Sequence, residues 1–205
     1  MTNAIRDYFE LRAPTWDSMM PAMLDEALRQ LLVPFAHEFG TAHSILEVGS
    51  GTGALIPHLL RCAPAARLVS IDLAHAMLKS AQHRAPGVGL VQADVHHLPF
   101  ASSTPLFDLV VCHNSFPHFA DKPLALCEIQ RILHPGGQLF ILHNNPREKV
   151  NAVHLRAGAP IAGDLLPPGD EMRQQLLRAN YQRVWVDDTP EHYIARGQRQ
   201  SQETV

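Results

Sequence analysis

The sequence predicts an α/β protein, a doubly wound parallel sheet with helices on both faces. Three observations carry that expectation. Apolar runs of strand length alternate with runs of helical period along most of the 205 residues. A glycine-rich stretch, Glu47-Val-Gly-Ser-Gly-Thr-Gly53, links the apolar run Ser44-Ile-Leu-Glu-Val48 to the helix-like run Ala54 to Cys62. Acidic residues, Asp72 and Asp94, close the next two apolar runs.

Taken in order, residues 1–40 read as an N-terminal helical segment. Met20, Leu24, Ala27, Leu28, Leu31 and Phe35 share one helical face, so a helix there packs beside or over the ligand site. After strand 44–48 come helix 53–63, strand 67–72, helix 74–84, strand 88–94, a short Pro-containing linker and strand 107–113. Helix 120–133 carries the apolar stripe Ala125, Leu126, Ile129, Ile132 and Leu133, with Glu128 and Arg131 opposite, and strand 138–143 follows. Residues 144–169 are rich in Pro, Gly, Asn and charge and too long for an ordinary connection, which reads as a substrate-side lid. Helix 170–179 and two strands, 183–187 and 193–196, complete a single domain spanning 1–205.

Composition narrows the function. A hydrophobic content of 46% fills a sizeable core, and a net charge of −3 without a basic stripe disfavours nucleic-acid partners. The opening residues lack an apolar signal core and no apolar run reaches the roughly 18 residues of a membrane helix, so a cytoplasmic protein is expected. Cys62, Cys112 and Cys127 are unpatterned and read as buried free thiols in a reducing compartment. Oligomeric state has no signature here.

A strand running into a glycine-rich turn and then a helix is a cofactor cradle, because glycine lets the backbone approach a ligand and the helix start offers free N–H groups. Gly49, Gly51 and Ala54 also satisfy the dinucleotide fingerprint, with Asp72 about 20 residues on. Three features favour another cofactor. Glu47 places a charge inside a buried strand end, where a cationic ligand group would partner it. The third glycine is Gly53, giving G-x-G-x-G. Asp94 ends the run Val88-Gly-Leu-Val-Gln-Ala-Asp94, so two acids at successive strand ends can take a ribose and an amino-purine edge separately.

With these motifs the chain resembles the class I S-adenosylmethionine-dependent methyltransferases over roughly Tyr8 to Arg196. The glycine loop resembles the family's first motif, Val69-Ser-Ile-Asp72 its second, Gln92-Ala-Asp94-Val95 its third, Phe107-Asp-Leu-Val-Val-Cys112 its fourth, and Leu133-His-Pro-Gly-Gly-Gln-Leu139 its later L-x-P-G-G turn. Tyr8-Phe-Glu-Leu-Arg-Ala-Pro-Thr-Trp16-Asp17 looks like the segment before the first helix in small-molecule methyltransferases of the ubiquinone/menaquinone type. The resemblance implies a seven-stranded, mostly parallel sheet whose final hairpin places one strand antiparallel. It also implies S-adenosylmethionine as cofactor and a small-molecule acceptor. Glu47, Gly49, Ser50, Gly51 and Gly53 would then line the methionine portion. Asp72 would accept from the ribose hydroxyls, Leu73 and Met77 would pack on the adenine, and Asp94 with Val95 would fix its amino edge. His113 and Asn114 would sit beside the sulfonium.

Ligands of open α/β sheets bind outside the carboxyl ends of the strands, so residues after the fourth and fifth strands face the reactive end. Of thirteen histidines, His37, His43, His58, His75 and His83 read as surface residues. His113, His118, His143 and His154 fall on the active face or in the lid, where they could act as general bases, substrate contacts or a metal site. Whether they hold a metal stays open. In the lid, Arg147, Asn151 and His154 lie on one face of a short helix looking into the pocket or into solvent. Tyr8, Trp16, Phe116 and Phe119 could wall an apolar acceptor pocket or belong to the core. Two other functions fit parts of the pattern: a non-catalytic module that binds the cofactor or its demethylated product, and a nicotinamide-dependent oxidoreductase.

Overall fold

The computed structural model describes residues 2–101 and 106–201, so residues 102–105 of the expected Pro-containing linker lie outside it. Five strands run parallel: β1 (Ser44–Val48), β2 (Arg67–Asp72), β3 (Gly89–Gln92), β4 (Phe107–His113) and β5 (Leu133–His143). A hairpin of β6 (Tyr181–Asp188) and β7 (Tyr193–Arg199) completes seven strands in the order β3-β2-β1-β4-β5-β7-β6, with β7 antiparallel to both neighbours. Strand order reverses between β1 and β4, which opens a crevice at their carboxyl ends.

Burial on both faces explains the near-continuous apolar runs. Along β1, β4 and β5, Leu46, Val110, Cys112, Leu139 and Ile141 pack on one face under helices α6 (Lys122–Ile132) and α8 (Gly169–Arg178). The alternate residues Ile45, Leu109, Val111, Phe140 and Leu142 pack on the other, under α2 (Leu24–Leu32), α3 (Ala36–Thr41), α4 (Ile56–Cys62) and part of α5 (His75–Ala81). Each alternation places successive side chains on opposite faces, the period of a strand.

Several expectations are corrected. The helical face from Met20 to Phe35 breaks into α2, a 3₁₀ turn at Val33–Phe35 that begins with Pro34 near its start, and α3. Residues 8–17, expected ahead of the first helix, instead end a helix α1 (Thr2–Arg12) and enter two 3₁₀ turns. The helix after the glycine loop starts only at Ile56, because the loop itself occupies Gly53 to Leu55. Glu128 and Arg131 lie opposite the apolar stripe as expected and are also engaged there: Arg131 donates to the Leu98 and Phe100 carbonyls while Glu128 accepts from the Leu98 N–H. Cys127 is exposed rather than buried. His58, expected on the surface, is buried, its Nε2 on Asp25 and its Nδ1 accepting from Arg61. No helix among the described residues is long and apolar enough to cross a membrane.

Candidate active site

The crevice between β1 and β4 is a cavity of about 360 Å³. Its floor is the glycine turn, and the three glycines differ in what they permit. Gly49 (φ +73°) passes so close to the turn after β4 that a Cβ would lie 2.4 Å from the Ser115 Cβ. Gly51 (φ +54°) has nothing within 4 Å of that position among the described residues and faces the cavity. Gly53 packs its backbone on Ala81 of α5 and does not line the cavity. Ser50 does line it, and its buried hydroxyl has no partner among the described residues.

Glu47 also lies away from the cavity wall. Its carboxylate accepts from the Ser70 hydroxyl of the neighbouring strand at 2.7 Å, in register with it. Burial pushes the carboxyl up to about 8, against the Ser70 bond, with Asp72 pushing it further up. The group is therefore mostly neutral near pH 7, and the expected cationic partner is not needed to hold it in the strand.

Asp72 binds the turn to the sheet. One carboxylate oxygen accepts from the Gly51 N–H and the other from the Ala74 N–H, both at 2.8 Å. Desolvation raises its pKa and these two bonds oppose that rise. Leu73 and Met77 follow it along the cavity. Across the cavity Asp94 and Val95 line the end of β3, and Asp94 starts the 3₁₀ turn Val95–His97. Its Oδ1 accepts from the His96 backbone N–H at 3.0 Å and from the His96 ring at 2.5 Å.

The far wall is made by the ends of β4 and β5. Asn144 joins them: its Oδ1 accepts from His113 Nε2 at 3.2 Å and from Asn114 at 2.9 Å. Asn114 takes a left-handed conformation (φ +51°) suited to Asn at a tight turn. Burial holds His113 down to about 4, so it is neutral. His143 is 1% exposed, lines the cavity, and neither ring nitrogen has a partner among the described residues. Burial and the neighbouring imidazoles keep it well below its ordinary range.

The roof has two parts. Helix α7 (Arg147–Ala157) fills the first half of the expected lid. The Arg147, Asn151, His154 face is used mainly within the protein: Arg147 pairs with Asp188, Asn151 clamps both backbone groups of Leu166, and His154 Nδ1 donates to the Asp164 carbonyl. Only His154 of the three lines the cavity, and burial lowers its pKa. Its ring lies 4.8 Å from that of His118, whose Nδ1 donates to the Asp164 carboxylate at 2.8 Å. His113, His118, His143 and His154 thus meet in one cavity, although among the described residues no three His, Cys, Asp or Glu side chains form a metal-holding group.

The second part of the roof is the N-terminal segment expected beside or over the site, although Ile5, Phe9 and Glu10 were not among the residues singled out. Ile5, Phe9, Trp16, Met20 and Pro21 cover the other side of the cavity. The Glu10 carboxylate accepts from the first N–H groups of α5, at His75 and Ala76, and Phe9 stacks edge-on against His118. An acidic side chain at a helix start satisfies free donors and complements the dipole. Of the aromatic residues expected at an acceptor pocket, Trp16 and Phe119 line the cavity, whereas Phe116 is core and Tyr8 stacks under Arg12.

Comparisons with known proteins fit this geometry. The profile of a family described as "Methyltransferase domain" matches residues 46–141. A demethylmenaquinone methyltransferase of Thermus thermophilus is 37% identical over 131 residues, covering 60% of this chain and 59% of that protein. A malonyl-[acyl-carrier protein] O-methyltransferase of Geobacter sulfurreducens is 31% identical over 202 residues, covering 91% of this chain and 73% of that protein. A crystal structure of a SAM-dependent methyltransferase from Aquifex aeolicus shares the fold, with a TM-score of 0.68 at 19% identity, over 91% of this chain and 97% of that one.

Proposed function

This chain belongs to the class I S-adenosylmethionine-dependent methyltransferases, and on that premise we propose that it transfers a methyl group to a small-molecule acceptor held at the carboxyl ends of β4 and β5 beneath α7. The observation that carries the reading is one cavity joining Gly51, Asp72 and Asp94 on one side to the unpartnered ring of His143 on the other.

When bound, the cofactor supplies an electrophilic methyl group on a sulfonium, so the protein contributes position more than covalent chemistry. The residues present fit it. Gly51 leaves open space where a side chain would stand, and the Ser50 hydroxyl waits for a partner; both suit the methionine portion, alongside the backbone of Gly49. Asp72 keeps lone pairs for ribose hydroxyls beyond the two N–H groups it already binds. Leu73 and Met77 offer the adenine an apolar face, and Asp94 with Val95 its amino edge. Glu47 and Gly53 support the turn from behind.

On the acceptor side, His113 fixes the strand ends, and His143 and His154, whose pKa values burial lowers, present neutral imidazoles able to take a proton from a hydroxyl, amine or activated carbon, with the His118 ring beside them. The two relatives are named for different acceptors, so the acceptor of this chain is read from its own pocket: apolar walls, imidazole polar groups, and room for a small molecule.

Calorimetric titration of the purified protein with S-adenosylmethionine and S-adenosylhomocysteine tests the reading. Micromolar binding of both is expected, weakened at least about tenfold in Asp72→Ala by loss of the ribose contacts. A folded protein that binds neither compound overturns it.

A further inference from the structure

His96 makes three hydrogen bonds at the rim of the cavity, and the two through its ring fix its tautomer. Its Nε2 accepts from the Asp121 backbone N–H at 3.1 Å. An amide N–H can only donate, so Nε2 is bare and the ring proton sits on Nδ1. That proton is directed to Asp94 Oδ1 at 2.5 Å, where the His96 backbone N–H also arrives at 3.0 Å. Oδ1 is therefore doubly engaged, while Oδ2 has no hydrogen bond among the described residues.

Asp121 is itself the N-cap of α6, its carboxylate accepting from the Leu124 N–H at 2.9 Å. The chain of contacts runs from the start of α6, through one imidazole of fixed tautomer, to a carboxylate that lines the cavity. His96 is buried and its ring meets the edge of Phe119, which also lines the cavity. A carboxylate without such a tether would sample other rotamers and meet a ligand with less of its strength.

We propose that His96 is a positioning residue for cofactor binding: it holds Asp94 with Oδ1 occupied and Oδ2 turned to the adenine amino group, and it does so only as the neutral Nδ1–H tautomer. This rests on the methyltransferase reading above, which assigns Asp94 to the adenine.

The test is a double-mutant cycle of His96→Phe and Asp94→Asn, titrated with S-adenosylhomocysteine and with adenosine, which lacks the amino-acid half. Phe keeps an aromatic ring against Phe119 and removes both ring hydrogen bonds. His96→Phe is expected to weaken both ligands by the same factor, about tenfold. In the Asp94→Asn background the same change is expected to cost almost nothing more. His96→Asn, whose amide N–H can replace Nδ1–H, is expected to recover part of the loss. A merely structural role would add to the Asp94 effect and would not be rescued by Asn. Wild-type affinity in His96→Phe, or full additivity, overturns the proposal. Long-range ¹H–¹⁵N spectra of the wild type decide it independently of any variant's folding: an Nδ1–H ring at His96 is expected, and an Nε2–H ring overturns the tether. Wild-type protein that binds neither ligand overturns the methyltransferase reading and this inference together, whereas wild-type binding with an uncoupled His96 overturns the inference alone.

Discussion

The Thr52 hydroxyl, in the glycine turn, donates to the Asp17 carboxylate of the N-terminal cover across 2.6 Å. Arg84 reaches both, pairing with Asp17 at 2.8 Å and donating to the Thr52 carbonyl at 2.9 Å. The cover is thus latched to the turn that it overlies, at a partly exposed place.

Polar contacts of that exposure contribute up to about 1 kcal/mol each. Asp17→Ala is therefore expected to move the melting temperature by only a few degrees while S-adenosylhomocysteine leaves several-fold faster. Stopped-flow fluorescence of Trp16, which lines the cavity, reads the rate. An unchanged rate would show that the cover is no barrier to release.

The glycine turn predicts two different failures. Gly49→Ala drives a methyl group onto Ser115 in a left-handed backbone and is expected to destabilise the protein by about 3 kcal/mol or more. Gly51→Ala meets no neighbour among the described residues and costs about 1–2 kcal/mol of backbone strain, yet it fills the cradle and should weaken S-adenosylmethionine binding at least about tenfold. Urea denaturation and calorimetry separate the two. Gly51→Ala binding at wild-type affinity would move the methionine site elsewhere.

Glu47 gives the fold a dependence on pH. In the unfolded chain its carboxyl titrates near 4.5, and in the folded protein burial lifts it to about 8. Between those values the unfolded ensemble has released a proton that the folded state keeps, so stability falls as pH rises through the window, by up to about 1.4 kcal/mol per pH unit. Glu47→Gln keeps a neutral group facing Ser70 and removes the titration. Its stability relative to wild type should climb from pH 5 to 8 and level off above; a constant difference would count against a neutral Glu47. His113 works in the opposite sense. Held near 4, it withdraws stability as pH falls from about 6.5, so the comparison of variant with wild type isolates the Glu47 limb.

His143 is buried at the cavity wall in the proposed acceptor site. Two buried ring nitrogens without partners among the described residues cost the fold about 1–3 kcal/mol. His143→Phe is expected to raise the melting temperature, leave S-adenosylhomocysteine binding within about twofold, and slow turnover at least about a hundredfold. Turnover at the wild-type rate would make the imidazole structural.

Much of this was legible in sequence because it is local. Strands 67–72 and 107–113 coincide with β2 and β4, and the turn from Glu47 to Gly53 announces itself by spacing alone. Residue type did not separate cavity lining from packing: Gly51 faces the cavity while Gly53 packs on α5, and the buried Glu47 meets Ser70 of the neighbouring strand. What stayed hidden depends on distant partners. Helix α1 has no strong amphipathic stripe, and Glu10 finds its purpose 65 residues on at His75. His96 looks like any loop histidine until Asp121 arrives 25 residues later to fix its tautomer. The Arg147, Asn151, His154 face was visible, but its partners Asp188, Leu166 and Asp164 are set by tertiary folding.

The placement of β7 between β5 and β6 makes the last strand of the sequence the one that ties its predecessor to the sheet. Among the described residues the sole sheet neighbour of β6 is β7, which leaves the ribosome after it. Without Tyr193 to Arg199 the edge of β5 that β7 covers has no partner on that side, and β6 has no strand to pair with among the described residues. An uncovered sheet edge is a template for pairing with other chains, so β7 protects β5 as well as extending the sheet. The seven residues Tyr193 to Arg199 thus cover the β5 edge and give β6 its place in the sheet.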